Sequence, residues 1–179
     1  MLGFLRRRRH ERTGYELYCA AVAAARDPYL YRDLAVPDTL DGRFDLVGLH
    51  AFLLIRRLVA LPPPGPAVAQ ALFDAMFSDM DMNLREMGVS DLAIARKVRT
   101  MWEAFHGRAM AYQAALAEGE AELAEVLVRN VWRGAPPPDD AARRLARLAV
   151  AQSAALEALP AESFIAGRIV FPAPQEAAA

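Results

Sequence analysis

Proline marks out this chain more firmly than any other residue. Pro62-Pro63-Pro64-Gly65 and the later GAPPPDD run (134–140) both fall between stretches of helical periodicity. Proline lacks the N–H that an α-helix needs and clashes with the preceding turn, so each run is a definite stop. Between the stops, apolar residues recur three or four apart, as in Leu72, Phe73, Met76, Phe77, Met80, Leu84 and Met87. That is the spacing of one helical face. No sustained alternation of period two and no internal repeat is present. The expectation is an all-α fold, a single compact helical domain of about six helices.

The helices are expected at about Gly14–Asp27, Phe44–Leu61, Pro66–Met87, Asp91–Glu118, then to about Arg133, and finally about Asp139–Leu159. A short aromatic element, PYLYRDLAV, follows the first of them. Gly88 is placed to be a left-handed C-cap and Ser90 an N-cap. The expected organisation is a basic N-terminal arm (1–12), the helical domain (13–160) and an irregular C-terminal tail (161–179).

At 179 residues, 55% of them hydrophobic, the chain can bury a substantial core. A net charge of −1 gives no global drive toward nucleic acid, and no DNA partner is expected. Lys97 is the only lysine, and this arginine bias, with abundant Ala and Pro, points to GC-rich bacterial coding. Cys19 is the only cysteine, so no disulfide can form within the chain. The most apolar run, LVGLHAFLLI, stops at Arg56-Arg57 and reads as a buried helix rather than a membrane span. MLGFLRRRRHER before LYCAAVAAA resembles a secretory signal, but Glu16, Arg26 and Asp27 disturb that pattern, and a retained arm is the preferred reading.

FSDMDMNLREMGVSD (77–91) opens like a calcium loop, but Leu84 and Ser90 stand where Gly and Glu are required. No metal site follows. Glu103-Ala-Phe-His106 matches one E-x-x-H of a di-iron bundle, which needs two such motifs and two further glutamates. His50 on an apolar face reads as a core histidine, and a Cys19–His50 nucleophile pair lacks an orienting third residue. No phosphate-binding glycine loop is present. No catalytic residue and no cofactor is assigned.

On a helix, Met76, Met80, Leu84 and Met87 form a buried stripe, with Asp79, Met82, Arg85 and Glu86 opposite. Asp81 and Arg85 stand four apart, the spacing at which opposite charges meet. A solvated face explains the charges, whereas Met82 among them suggests a protein contact, methionine being adaptable. Both readings stay open on the residue pattern.

Three blocks resemble the ubiquinol–cytochrome c chaperone family, the assembly factors of the respiratory cytochrome bc complex. They are YLYRDLAVPDTLDGRFDLVGLHAFLLIRR (29–57), LFDAMFSDMDMNLREMGVSDL (72–92) and MWEAFHGRAMAYQAAL (101–116). Ala35 and Ser90 stand where that family commonly has glycine. The resemblance implies a non-enzymatic chaperone that holds newly made cytochrome b until it acquires haem, working cytoplasmically at the inner-membrane surface, with a small co-chaperone and the ribosome as further partners. The client-binding residues it implies are Asp79, Asp81, Met82, Asn83, Arg85 and Glu86, with Tyr29, Tyr31 and Phe44 as apolar surface. Asp38, Thr39, Gly42, Arg43, Gly88, Arg108 and Tyr112 would support that face. In VPDTLDGRF, Asp38 and Thr39 are expected to cap, Gly42 to adopt a left-handed backbone, and Arg43 and Arg108 to bridge to Asp79, Asp81 or Glu86. Arg6, Arg7, Arg8 and Arg9 would meet an anionic membrane or ribosomal RNA, or else form a solvated tail. Two other functions compete: a haem- or quinone-handling helical protein with His50 or His106 as axial ligand, and an RNA-binding adaptor using the arm.

Overall fold

The structure, a computed structural model, describes residues 2–177, with side chains from 8 to 175. Its helices are α1 (Leu2–Ala25), α2 (Pro28–Arg32), α3 (Leu40–Ala60), α4 (Gly65–Glu86), α5 (Asp91–Glu118), α6 (Glu120–Val131), α7 (Ala141–Ala158), α8 (Ala161–Ile165) and α9 (Pro174–Ala177). No strand occurs among the described residues. No described helix is long and apolar enough to cross a membrane.

α3 is the central element. It packs on α1, α4, α6 and α7 and touches α5. A helix apolar on all sides must be enclosed, and Leu46, Leu49, Ala51, Phe52, Leu53, Leu54 and Leu58 are all buried along it. α1 lies across α4 and α3, while α6 pairs with α7. The α1–α4 crossing is close: a Cβ on Gly14 would sit 2.5 Å from the Ala71 carbonyl carbon.

Helix ends follow local chemistry. The Thr39 hydroxyl accepts from the Gly42 N–H at 3.1 Å and starts α3 four residues earlier than expected. Gly42 is therefore helical. Its lack of a side chain serves contact instead, since a Cβ there would overlap the Pro37 carbonyl oxygen. α4 ends as a Schellman motif: Gly88 (φ 77°) donates to the Arg85 carbonyl at 2.9 Å and Val89 to that of Leu84 at 3.1 Å.

α1 runs on through residues 2–13, so the basic segment continues the first helix in place of a separate arm. The tail also differs from the irregular segment expected. It carries α8 and α9 and buries Phe164, Ile169 and Phe171 in the core.

Ala35 adopts φ 50°, a left-handed conformation. Such a backbone costs an alanine roughly 1–2 kcal/mol, which explains glycine as the common residue here. Ser90, at φ −66°, needs no glycine. Ala35→Gly is expected to raise stability by about 0.5–1 kcal/mol, the relieved strain being offset in part by a freer unfolded chain. Urea denaturation checks this through a higher midpoint at unchanged slope.

Candidate functional site

A cleft of about 510 Å³ opens where α1, α3, α4 and α5 approach one another. α1 contributes Tyr18 and Val22, the turn that follows it Arg26, and α2 Tyr31. α3 adds Phe44 and Val47, α4 adds Asp79, Met80, Asn83 and Leu84, and α5 adds Arg96, Lys97, Met101 and Arg108. The volume falls within the roughly 300–1,000 Å³ of ligand pockets, but the lining is richer in charged groups than most of them.

The polar groups of this cleft hold one another in place. The Tyr18 hydroxyl donates to Asp79 Oδ2 at 2.6 Å, and Asn83 Nδ2 donates to the same oxygen at 3.1 Å. Burial, then the bond to Asp79, holds the Tyr18 phenol well above its ordinary pKa, so it remains a donor. Tyr31 donates to the Ala25 carbonyl at 2.8 Å, fastening α2 to the end of α1. The Arg108 guanidinium lies 5.7 Å from the Phe44 ring centre, a cation–π distance.

Behind that contact lies a buried carboxylate. Asp45 pairs with Arg108, and Arg133 Nη2 approaches it at 3.1 Å and Asp41 at 3.5 Å. Burial pushes the Asp45 carboxyl up to about 6, opposed by the two guanidinium groups. The expected bridges from Arg43 and Arg108 to the acidic face of α4 are therefore replaced. Arg43 takes Asp38 at 2.7 Å, since both belong to the turn that opens α3. Arg108 takes Asp45, one helical turn further in.

Among the residues singled out from sequence, Tyr31, Arg43, Phe44, Asp79, Asn83 and Arg108 line the cleft. Asp81 and Met82 border a separate shallow depression with Asp74, Phe77 and Ser78. Met82 is 57% exposed, and Met87, expected in the buried stripe, is 53% exposed because it caps α4. Arg85 bonds Asp81 and Asp91, each at 2.6 Å, and joins the end of α4 to the start of α5. Glu86 is exposed beside it. Tyr29 and Tyr112 lie in the core, Tyr29 with its hydroxyl bonded to Arg144. Arg8 and Arg9 are exposed on α1, whereas the side chains of Arg6 and Arg7 lie outside the described residues.

The histidines have structural surroundings. His50 is fully buried, its Nδ1–H donates to the Leu46 carbonyl at 2.8 Å, and its ring meets Phe171 edge-on at 5.2 Å. Burial lowers its pKa to about 4, so the imidazole is neutral. His106 stacks on Trp102 at the exposed surface, and Glu103 pairs with Arg99 at 3.0 Å. Cys19 is exposed.

Sequence reasoning missed Asp45, Arg133 and the wall formed by Tyr18 and Val22 of α1 with Arg26 just after it. The adjacent Arg96-Lys97 pair was visible as a charge doublet, but nothing local says that it rims a cleft.

Fold and cleft together define the class: an all-helical protein with a partly apolar groove under a basic rim. More narrowly, the chain belongs to the ubiquinol–cytochrome c chaperone family, whose model matches residues 32–171. A crystal structure of the Cbp3 homolog from Brucella abortus superposes with a TM-score of 0.85 at 31% identity, covering 99% of each chain. Mitochondrial protein CBP3 of Saccharomyces cerevisiae is 32% identical over 109 residues, which are 59% of this chain and 32% of that protein. Ubiquinol-cytochrome c reductase complex assembly factor 1 of Drosophila melanogaster is 26% identical over 142 residues, covering 75% of this chain and 54% of the relative. The chain thus spans between a third and about half of these curated relatives.

Proposed function

We propose that this protein is a non-enzymatic chaperone for assembly of the ubiquinol–cytochrome c reductase complex, with newly made cytochrome b as its client and the cleft as the place that holds it. One observation carries the reading. The three separate blocks that resemble the chaperone family converge on this cleft: Tyr31, Phe44 and Val47 from the first, Asp79, Met80, Asn83 and Leu84 from the second, Met101 and Arg108 from the third. Its apolar floor suits a client made of apolar helices, and Met80 and Met101 adapt to irregular surfaces. The role as an assembly factor comes from the name of the fly relative, and the chaperone role from the family description. Placement at the cytoplasmic surface of the inner membrane rests on the basic start of α1, where each arginine near anionic lipid contributes on the order of 1 kcal/mol. A small co-chaperone and the ribosome remain its proposed further partners.

Tagged protein purified from gently solubilised membranes of a respiring bacterium is expected to bring down haem-poor cytochrome b. Phe44→Asp, at a half-buried cleft position, should lower recovery while leaving the helical circular dichroism intact. Absence of cytochrome b, together with normal levels of the complex in a deletion strain, would overturn the proposal.

A further inference from the structure

Charge in the cleft is unbalanced. Six cations line it, Arg26, Arg43, Arg96, Lys97, Arg108 and Arg133, against two carboxylates, Asp41 and Asp79. Arg43 is neutralised by Asp38, and Arg108 and Arg133 share Asp45 and Asp41. The Asp79 carboxylate accepts from Tyr18 and Asn83. Arg26, Arg96 and Lys97 are exposed and form no ion pair among the described residues. Their placement is informative. Arg26, in the turn just after α1, stands on that side, Arg96 and Lys97 belong to the α5 wall, and α4 lies between, packing on both helices. The floor between those walls is apolar, built from Val22, Phe44, Val47, Met80, Leu84 and Met101.

An apolar trough with unmatched cations on both banks selects one kind of occupant. A helix laid in a groove is held by apolar side chains at i, i+3/i+4 and i+7, and its flanks then face the two banks. We infer that the cleft receives an amphipathic helical segment of a partner protein whose apolar stripe is bordered by carboxylates on both sides. This deepens the chaperone reading and rests on it for the identity of the partner. The stripe fills the trough and excludes water, while the carboxylates meet Arg26 on one side and Arg96 and Lys97 on the other. Exposed pairs of this type favour association rate and selectivity over raw affinity, and salt weakens them. A segment with basic flanks is rejected by the same banks.

Fluorescence anisotropy on the full chain tests this with labelled synthetic helices that share one Leu/Phe stripe and carry Glu, Gln or Lys on both flanks. The Glu helix is expected to bind about tenfold more tightly than the Gln helix, the sum of a few exposed ion pairs. High salt should erase that lead, and the Lys helix should bind weakest. Combined Arg26→Ala, Arg96→Ala and Lys97→Ala should bring the Glu helix to the Gln level without shifting the melting temperature. Equal binding of the Glu and Gln helices would overturn the inference, as would a preference that survives the triple variant. Equal binding with displacement of both by phosphatidylglycerol vesicles would reassign the rim to lipid headgroups and overturn it too. If the preference is absent yet cytochrome b still co-purifies, the acidic-helix inference falls and the chaperone reading stands. If the preference is present and no cytochrome b is recovered, the inference stands and the client assignment falls.

Discussion

Arg108→Ala is expected to destabilise the fold by about 3 kcal/mol near pH 8 and by much less near pH 5, because it strips a buried carboxylate of its main partner. Asp45 has no side-chain exposure, and Arg108 is itself largely enclosed. Burial raises the Asp45 pKa from 3.8 to about 6, and Arg108 is the leading influence that pulls it back down. A carboxyl whose folded pKa lies above its unfolded value binds its proton more firmly in the folded state. Its contribution to stability is then full below about pH 4 and lost as pH rises through about 6. Removing Arg108 raises the folded pKa further, so the loss continues into alkaline solution. Near pH 5 both proteins hold a neutral carboxyl when folded, and the difference shrinks toward the packing lost around Phe44. Urea denaturation across pH measures this directly. Adding Asp45→Asn to Arg108→Ala should restore most of the loss near pH 8, since an uncharged amide of the same shape needs no cation. A penalty independent of pH would show that Arg108 acts by packing alone.

Much of the fold could be read from the sequence because local rules decide it. The prolines at 62–64 stop α3, Gly88 caps α4, and the run at 46–54, apolar but for His50, demands a central helix. Reading failed where two local signals conflict or where the deciding atom is distant. Gly42 suggests a left-handed turn, yet the Thr39 cap and the Pro37 carbonyl make it helical. The arginine cluster at 6–9 resembles a loose arm, but no proline interrupts it, and the helix continues through it. The candidate site was half legible. Asp79 and Asn83 face the cleft as the 77–91 motif suggests, while Asp81 and Met82, in the same motif, turn away around the helix. A groove joins helices far apart in the chain, so neither the Tyr18–Asp79 bond nor the Arg108–Asp45 pair has any sequence-local trace.

Phe164→Ala is expected to cost about 4 kcal/mol, the loss typical of emptying a fully buried aromatic site. Composition makes residues 161–179 look dispensable, yet Phe164 has 0% exposure and α8 packs on α1 and α4. Two further contacts fix its position. The Thr13 hydroxyl donates to the Ile165 carbonyl at 3.3 Å, tying α8 to α1. Arg57 lies 5.8 Å from the Phe164 ring centre and donates to the Leu156 and Leu159 carbonyls, both at 3.2 Å, at the end of α7. The ring is thus enclosed on sides that cannot all close over a void, which places the cost toward the upper part of the range for such truncations. Val170, 86% exposed a few residues on, provides the control: Val170→Ala should change stability by less than about 0.5 kcal/mol. Chemical denaturation of the two variants separates the possibilities. A tail that merely rests on the surface would give equal, small shifts in midpoint. A tail that completes the core gives a large shift for Phe164 alone, and because α1 and α4 also wall the cleft, the same variant should weaken the proposed capture of cytochrome b without touching any cleft residue.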